Sequence, residues 1–228
     1  MTTTASPRDS TSVGRAGAQA GATEHRVEVG VGQAAEALRA TKASRPAEAS
    51  RPAEASRPAE ASRPAEPIAA GGVSGPMLRE FMRNWATGVT VVTSHVDGRP
   101  VGCTVNAFTS VSLRPPLLLV SLGRASRTLA AVTAEGAFAV NLLDRRQCHL
   151  ADQFAATVPD RFAGVLHHSR DGLPLLDGAM AVAVCTVTQV IGVADHALVL
   201  GAPYWCEARA GAEPAVFFGG GYRAVSPD

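Results

Sequence analysis

The sequence predicts a mainly β fold, a β-barrel with a few helices, preceded by a disordered N-terminal tail. Two observations carry this. Every Phe, Tyr and Trp lies at or after Phe81, so only residues 74–228 have the means to build a core. Within that stretch, short β-branched runs separated by turn signals outnumber helical patterns and do not alternate with them, which favours a barrel over a parallel sheet.

The tail, residues 1–73, is built mainly from Ala, Ser, Thr, Pro, Gly, Arg and Glu. Such a chain buries too little apolar surface to offset the entropy of ordering its backbone. Ser44-Arg-Pro-Ala-Glu recurs from Ser50, Ser56 and Ser62. Proline in each unit forbids a continuous helix, and the segment reads as an extended spacer. Residues 33–43 have some helical character without a stabilising mark. The remaining stretch has the usual size of one domain.

From Ser74 the elements follow in order. Pro76 opens a helix, and Leu78, Phe81, Met82 and Trp85 recur at helical spacing, giving an apolar face expected to join the core, with Gly88 as its end. Val89 to Val96 is a strand, Asp97-Gly98 a hairpin turn, and Val101 to Phe108 the returning strand. Pro115-Pro116 breaks the chain before a short apolar strand, Leu117 to Leu122. Ser126 caps a helix through Ala134, with Gly136 past its end. Phe138 to Leu143 is a buried strand. Asp144 caps a helix to about Ala156. Ala181 to Val193 is a long strand, turned at Ala194-Asp195 into His196 to Leu200. Tyr204 to Arg209 and Ala215 to Phe218 are further short strands.

Several function classes are set aside. The net charge is +1, and no basic stripe suggests nucleic acid. Cys103, Cys148, Cys185 and Cys206 are far apart, without metal-ligand spacing, and read as buried thiols. There is no secretory h-region and no apolar run long enough for a bilayer, so a cytoplasmic protein without membrane contact is expected. Neither a Walker loop, a dinucleotide fingerprint nor a G-x-S-x-G elbow is present. His167-His168 reads as a loop pair and not as a metal site, since adjacent strand residues would point apart. With no protein nucleophile or acid–base pair evident, a cofactor would have to carry the chemistry.

Two polar clusters remain. Thr104, Asn106 and Ser110 lie among apolar neighbours and offer hydrogen-bond partners along one line, suited to the edge of a flat heterocycle such as a flavin. Taken alone, these residues read better as an edge strand with solvated hydroxyls. The second cluster runs from Ser121 to Thr128, with Arg124, Ser126 and Arg127 at a helix N-terminus. Free N–H groups there favour an anion such as a phosphate, and Arg adds charge-assisted hydrogen bonds. An ordinary N-cap with exposed arginines is the plain alternative.

The ordered set of runs Thr104–Pro116, Leu117–Thr128, Asp195–Gly201 and Gly221-Tyr222-Arg223 resembles the flavin reductase family, the small components of two-component flavin-dependent monooxygenases. Leu78–Gly88 leading into Val89-Thr-Val-Val-Thr resembles the family's opening, and Asp152-Gln-Phe-Ala before Asp160-Arg-Phe-Ala-Gly strengthens the match. The resemblance implies an FMN-binding split barrel that forms a homodimer. It implies that Thr104, Val105, Asn106 and Ala107 line the flavin ring with Ser110 nearby, and that Ser121 and Leu122 lie along it. It also implies that Ser126 and Thr128 hold the phosphate, helped by Arg124 and Arg127, and that His196 sits beside the nicotinamide.

The reaction implied is hydride transfer from NADH, or NADPH, to FMN or FAD, supplying reduced flavin to a partner monooxygenase. No catalytic side chain is needed for that step. A barrel that retains its flavin and acts on an organic substrate is the alternative, as is a flavin- or haem-binding module without turnover.

Overall fold

The computed structural model describes residues 72–225. The expected tail and the weak helix at residues 33–43 lie outside that range.

Helix α1 spans Gly75–Met82. Ser74 caps it, accepting the Met77 N–H, and Pro76 occupies the first turn. It stops well before Gly88, because the chain turns at Arg83–Trp85. Its apolar face does not enter the core. Phe81 is 71% exposed, Trp85 66% and Leu78 53%. The expectation fails because helical spacing reports an apolar face but not what covers it. Here nothing within the described chain does.

The chain then forms β1 (Thr87–Gly88), β2 (Thr90–Val96) and β3 (Arg99–Val105). Asp97 and Gly98 both take positive φ, as a two-residue type I′ hairpin requires. The expected single strand Val101–Phe108 is instead two. It breaks at Asn106-Ala107, and β4 (Phe108–Leu113) turns back into β5 (Pro116–Gly123). Helix α2 (Arg127–Glu135) has Ser126 as N-cap and Gly136, at φ 72°, as left-handed C-cap. Strand β6 (Ala137–Leu142) follows. Asp144 caps a 3-10 turn, Arg145–Gln147, in a capping box with Gln147, before α3 (Cys148–Ala155).

His167 and His168 are not in a loop but on β7 (His167–Arg170), which pairs with β8 (Leu173–Leu176). They do not converge: one ring meets the Val165 carbonyl and the other Asp177. Strand β9 (Ala181–Val193) pairs along its whole length with β10 (His196–Ala208), which absorbs the separate strand expected at Tyr204. Short β11 (Val216–Phe218) and β12 (Gly221–Arg223) complete a small sheet with β1.

Seven strands form one antiparallel sheet in the order β3-β2-β6-β9-β10-β5-β4. Its two outer strands, β3 and β4, are consecutive in sequence and joined only through Asn106 and Ala107. A sheet whose edges are tied so closely must curl on itself, and the result is a split barrel. Val92, Val120, Phe138, Val140, Cys185 and Val199 fill its interior, with Val132 of α2 packed against them. Gly201 sits at a register shift in β10, where a Cβ would lie 2.5 Å from the Phe138 ring. Buried Asn141 fastens β8 to the barrel, donating to the Val91 carbonyl at 3.0 Å and accepting the Leu176 N–H at 2.8 Å.

Only Cys185 of the four cysteines is fully buried, and burial pushes its thiol up to about 12. Cys148, at the start of α3, and Cys103 are half-buried and Cys206 is exposed; for the two strand cysteines, alternation and not residue type decides which side faces inward. Among the described residues no helix is long and apolar enough to cross a membrane, and no group of three metal-ligating side chains converges.

Candidate functional site

Two cavities flank the seam where β3 passes into β4. The first, about 770 Å³, lies between the small β1-β11-β12 sheet and the barrel. Asn106, Ala107 and Ser121 contribute polar and backbone groups to it, while Trp85, Leu119, Leu142 and Met180 make it mostly apolar. The second, about 690 Å³, lies over the N-terminus of α2 and is lined by Thr104, Ser126, Arg127 and Arg161 among others.

The seam supplies unusual backbone chemistry. The Phe108 N–H folds back onto the Asn106 carbonyl at 2.9 Å, and the Ser121 N–H donates to the Ala107 carbonyl at 3.0 Å. The N–H groups of Asn106 and Ala107 meet no backbone acceptor among the described residues. Backbone N–H groups left over at a solvent-facing break are ready to bind a ligand's acceptor atoms.

The second cavity is cationic. Its lining contains two guanidiniums and no carboxylate. Ser126 accepts the Thr128 N–H at 3.2 Å, fixing the first turn of α2, whose remaining N–H groups carry the positive end of the helix dipole. This donor set matches a phosphate.

The residues expected from sequence separate into groups. Asn106, Ala107 and Ser121 line the first cavity; Thr104, Ser126 and Arg127 line the second. The Thr104 hydroxyl donates to the Ala151 carbonyl of α3 at 2.6 Å, so this side chain ties β3 to α3. Val105 and Leu122 point into the core, 6% and 2% exposed, so their main chain alone is available. Thr128 is buried, with its hydroxyl beside the Cys103 thiol. Burial raises that thiol, and Thr128, Arg161 and Ser126 oppose the rise.

Ser110 is exposed, beside the β4 irregularity, and lines neither cavity. Arg124 turns away from the second cavity. Its N–H donates to the Asp195 carbonyl at 2.9 Å, and its guanidinium reaches the Ala194 carbonyl at 3.4 Å. His196 pairs in register with Gly123, and its Nδ1 lies 2.9 Å from Asp195 Oδ1. The imidazole beside Asp195 holds that carboxyl below the usual range.

Sequence reasoning missed Trp85 as a cavity wall, taking it for core, and missed Arg161 altogether as a site residue. The only signal for Arg161 was its place in the Asp160-Arg-Phe run. It reaches the second cavity because its guanidinium donates to the Ala156 and Gly102 carbonyls, at 2.8 and 2.9 Å.

Comparison with known proteins agrees with this architecture. Residues 82–226 match the model of the flavin reductase like domain. A "Probable flavin reductase" of Rhizobium meliloti is 44% identical over 126 residues, 54% of this chain and 40% of that protein. The reductase subunit HsaB of a flavin-dependent monooxygenase from Mycobacterium tuberculosis is 34% identical over 153 residues, covering 66% of this chain and 82% of HsaB. Among solved structures, the Streptomyces globisporus NADH:FAD oxidoreductase SgcE6, in complex with NAD and FAD fragments, superposes with a TM-score of 0.64 at 35% identity. That match covers 67% of this chain and 93% of SgcE6. A seven-stranded split barrel with unpartnered backbone N–H groups at its seam, matched in sequence and in structure, places the chain in the flavin reductase like domain family.

Proposed function

We propose that the chain is an NAD(P)H-dependent flavin reductase that passes reduced FMN or FAD to a partner monooxygenase. The observation that carries this is the seam itself: Asn106 and Ala107, whose N–H groups have no backbone partners, line an apolar cavity suited to a flat ring, and Thr104, just before them, lines a cationic cavity suited to a phosphate. The relatives named as reductase subunits of monooxygenases support the same reading. A flavin held there would supply the redox chemistry, with the nicotinamide as the source of its electrons.

The chain's own residues position and stabilise. Asn106 and Ala107 hold the polar edge of the ring through their N–H groups, where donors fixed in advance favour negative charge. Ser121 lies along the ring, with Leu119 and Leu142 against its flat face. Ser126, Arg127 and the first turn of α2 hold the phosphate. His196, oriented by Asp195, sits beside the nicotinamide. No side chain moves a proton in the hydride step; stacking and orientation of two rings are what the protein provides.

The catalytic domain in this reading is residues 74–228, working in the cytoplasm behind the tail, residues 1–73. It is a homodimer, in which a second copy covers the apolar face of α1. Exposed Phe81, Leu78 and Trp85 support this, since so large an apolar face on one short helix marks an interface.

The test is oxidation of NADH and NADPH by the purified chain with and without FMN, FAD or riboflavin, followed by loss of reduced-nicotinamide absorbance. Oxidation that depends on added flavin is expected. A protein that stays yellow through dialysis and ignores free flavin would instead be a flavin-retaining oxidoreductase.

A further inference from the structure

We infer that Arg83 and Arg223, gathered over the β11–β12 turn, form a phosphate-reading site at the mouth of the first cavity, through which the protein takes NADPH in preference to NADH. This rests on the reductase reading for the ring that enters the cavity, but the paired cations stand on their own geometry.

The turn between β11 and β12 is Gly219-Gly220. The two residues take φ of 62° and 83°, the left-handed pair of a type I′ hairpin. With Gly221 they make a stretch without side chains, and two large neighbours use the space. A Cβ at Gly220 would stand 3.8 Å from Arg83 Cζ, and one at Gly221 would stand 3.5 Å from Arg223 Nη1. The Gly219 N–H donates to the Arg83 carbonyl at 3.0 Å, which ties the turn to the end of α1.

Neither cation is well neutralised. Arg223 has no carboxylate within ion-pair distance among the described residues. Its one hydrogen bond, to the Tyr222 carbonyl, is 3.4 Å long. Arg83 meets Glu80 only through Nε, at 3.5 Å, with both side chains more than half exposed, and an exposed pair of this kind is weak. Two like charges held over one short turn repel, and an anion seated between them turns that cost into attraction. Guanidinium forks match phosphate oxygens in geometry as well as in charge.

The place of the pair suggests which phosphate. Met82 and Trp85, on either side of Arg83 in the chain, line the first cavity, and β11 is hydrogen-bonded to β1, whose Thr87 and Gly88 line it too. The cations therefore stand at the rim, outside the apolar space. A nicotinamide ring inside leaves the rest of its dinucleotide trailing across that rim. The diphosphate is common to NADH and NADPH. The 2′-phosphate belongs to NADPH alone, and as a monoester it carries a charge of about −2 and three free oxygens. A pair of unshared guanidiniums favours that group most, and because only one nucleotide has it, the preference becomes selectivity.

The experiment is steady-state oxidation of NADH and NADPH at saturating FMN, with R83Q, R223Q and R223K beside the wild type. The wild-type KM for NADPH is expected to lie at least about fivefold below that for NADH. R83Q and R223Q should each raise the NADPH KM by about 5- to 20-fold, following the loss of charged hydrogen bonds, while the NADH KM moves by less than about twofold. R223K, which keeps the charge, should fall between. Because both cations are exposed, the preference should shrink in high salt. A wild type that uses NADH as well as NADPH would overturn the proposal. So would equal rises in both KM values, which would assign the arginines to the shared diphosphate.

A second readout separates this from the reductase reading. In calorimetry, adenosine 2′,5′-bisphosphate should bind the wild type more tightly than adenosine 5′-monophosphate does, and the R83Q/R223Q double variant should bind the two alike. If neither nucleotide were oxidised with any flavin, the reductase reading would fall, yet this difference would still support the cation pair. Equal affinities in the wild type would sink it.

Discussion

Gly201→Ala tests whether the barrel interior is as tightly fitted as its geometry demands. Gly201 lies in the middle of β10, where a Cβ would stand 2.5 Å from Phe138 Cζ, 2.6 Å from Cε1 and 2.9 Å from the Cys185 Cβ. Ordinary carbon contacts lie at about 3.5–4.0 Å, so roughly 1 Å of displacement is required. Phe138 has nowhere to go, being fully buried among Val92, Val140 and Val199. Either its ring leaves its preferred rotamer or β10 shifts outward. Overpacking of this kind costs about 1–3 kcal/mol, with about 1 kcal/mol more for an off-rotamer ring. The expected loss is therefore about 3 kcal/mol, or about 6–12 °C in melting temperature for a domain of this size.

Urea denaturation would measure it, with the m-value unchanged. Phe138→Leu removes the clashing ring atoms, so in the double variant the two losses should sum to less than their separate values by about 1–2 kcal/mol. A Gly201→Ala protein within about 0.5 kcal/mol of wild type, or additive losses in the pair, would refute the packing argument. The effect should also reach the site. Leu198 of the same strand pairs with Ser121, so flavin affinity should fall along with stability.

The other predictions concern charge and association. Asp144 is buried and bonded by Arg146 and Arg209, and the bonds from Arg146 hold its carboxyl far below the usual carboxylate range. Asp144→Asn should cost about 2–3 kcal/mol at neutral pH. A depressed folded-state value means that this contribution is complete above about pH 5 and fades as pH falls below about 4. Denaturation curves of variant and wild type should therefore converge in acid; a gap that persists at pH 3 unchanged would contradict the ion-pair origin. In the homodimer proposed above, Phe81→Glu should weaken association by about 100-fold or more, read as a mass halved from the dimer's in sedimentation; a wild type that is already monomeric, or an unchanged dimer mass, would refute the α1 contact.

Much of the fold was legible because its signals are local. Asp97-Gly98 sets its own turn, Ser126 and Gly136 mark the two ends of α2, and the apolar run from Ala181 to Val193 stands as β9 to the residue. What was not legible depends on what lies across space. Nothing local distinguishes an apolar helix face that meets a core from one that meets solvent, so α1 was misplaced. The break after Val105 is likewise invisible in a run rich in strand-forming residues; it exists because the chain leaves β2, the partner of β3, so that β4 can pair with β5.

The site shows the same division. Ser126 and Arg127 could be nominated from a helix start. Arg161 could not, because a fold of the chain brings it to Gly102 from 59 positions away. Arg124 looked equivalent to Arg127 in sequence, but the β9–β10 turn captures it.

The break at Asn106-Ala107 has a consequence for inheritance. Main-chain atoms are common to nearly every residue, so a lineage can exchange the side chains at 104–107 and still keep the open N–H groups of the seam, provided that β3 and β4 remain the two edges of one sheet. What such a lineage must preserve is a discontinuity in strand pairing. Descendants would share this binding surface while their residue patterns drift apart, and the crossing of the chain from edge to edge would outlast any motif written in letters.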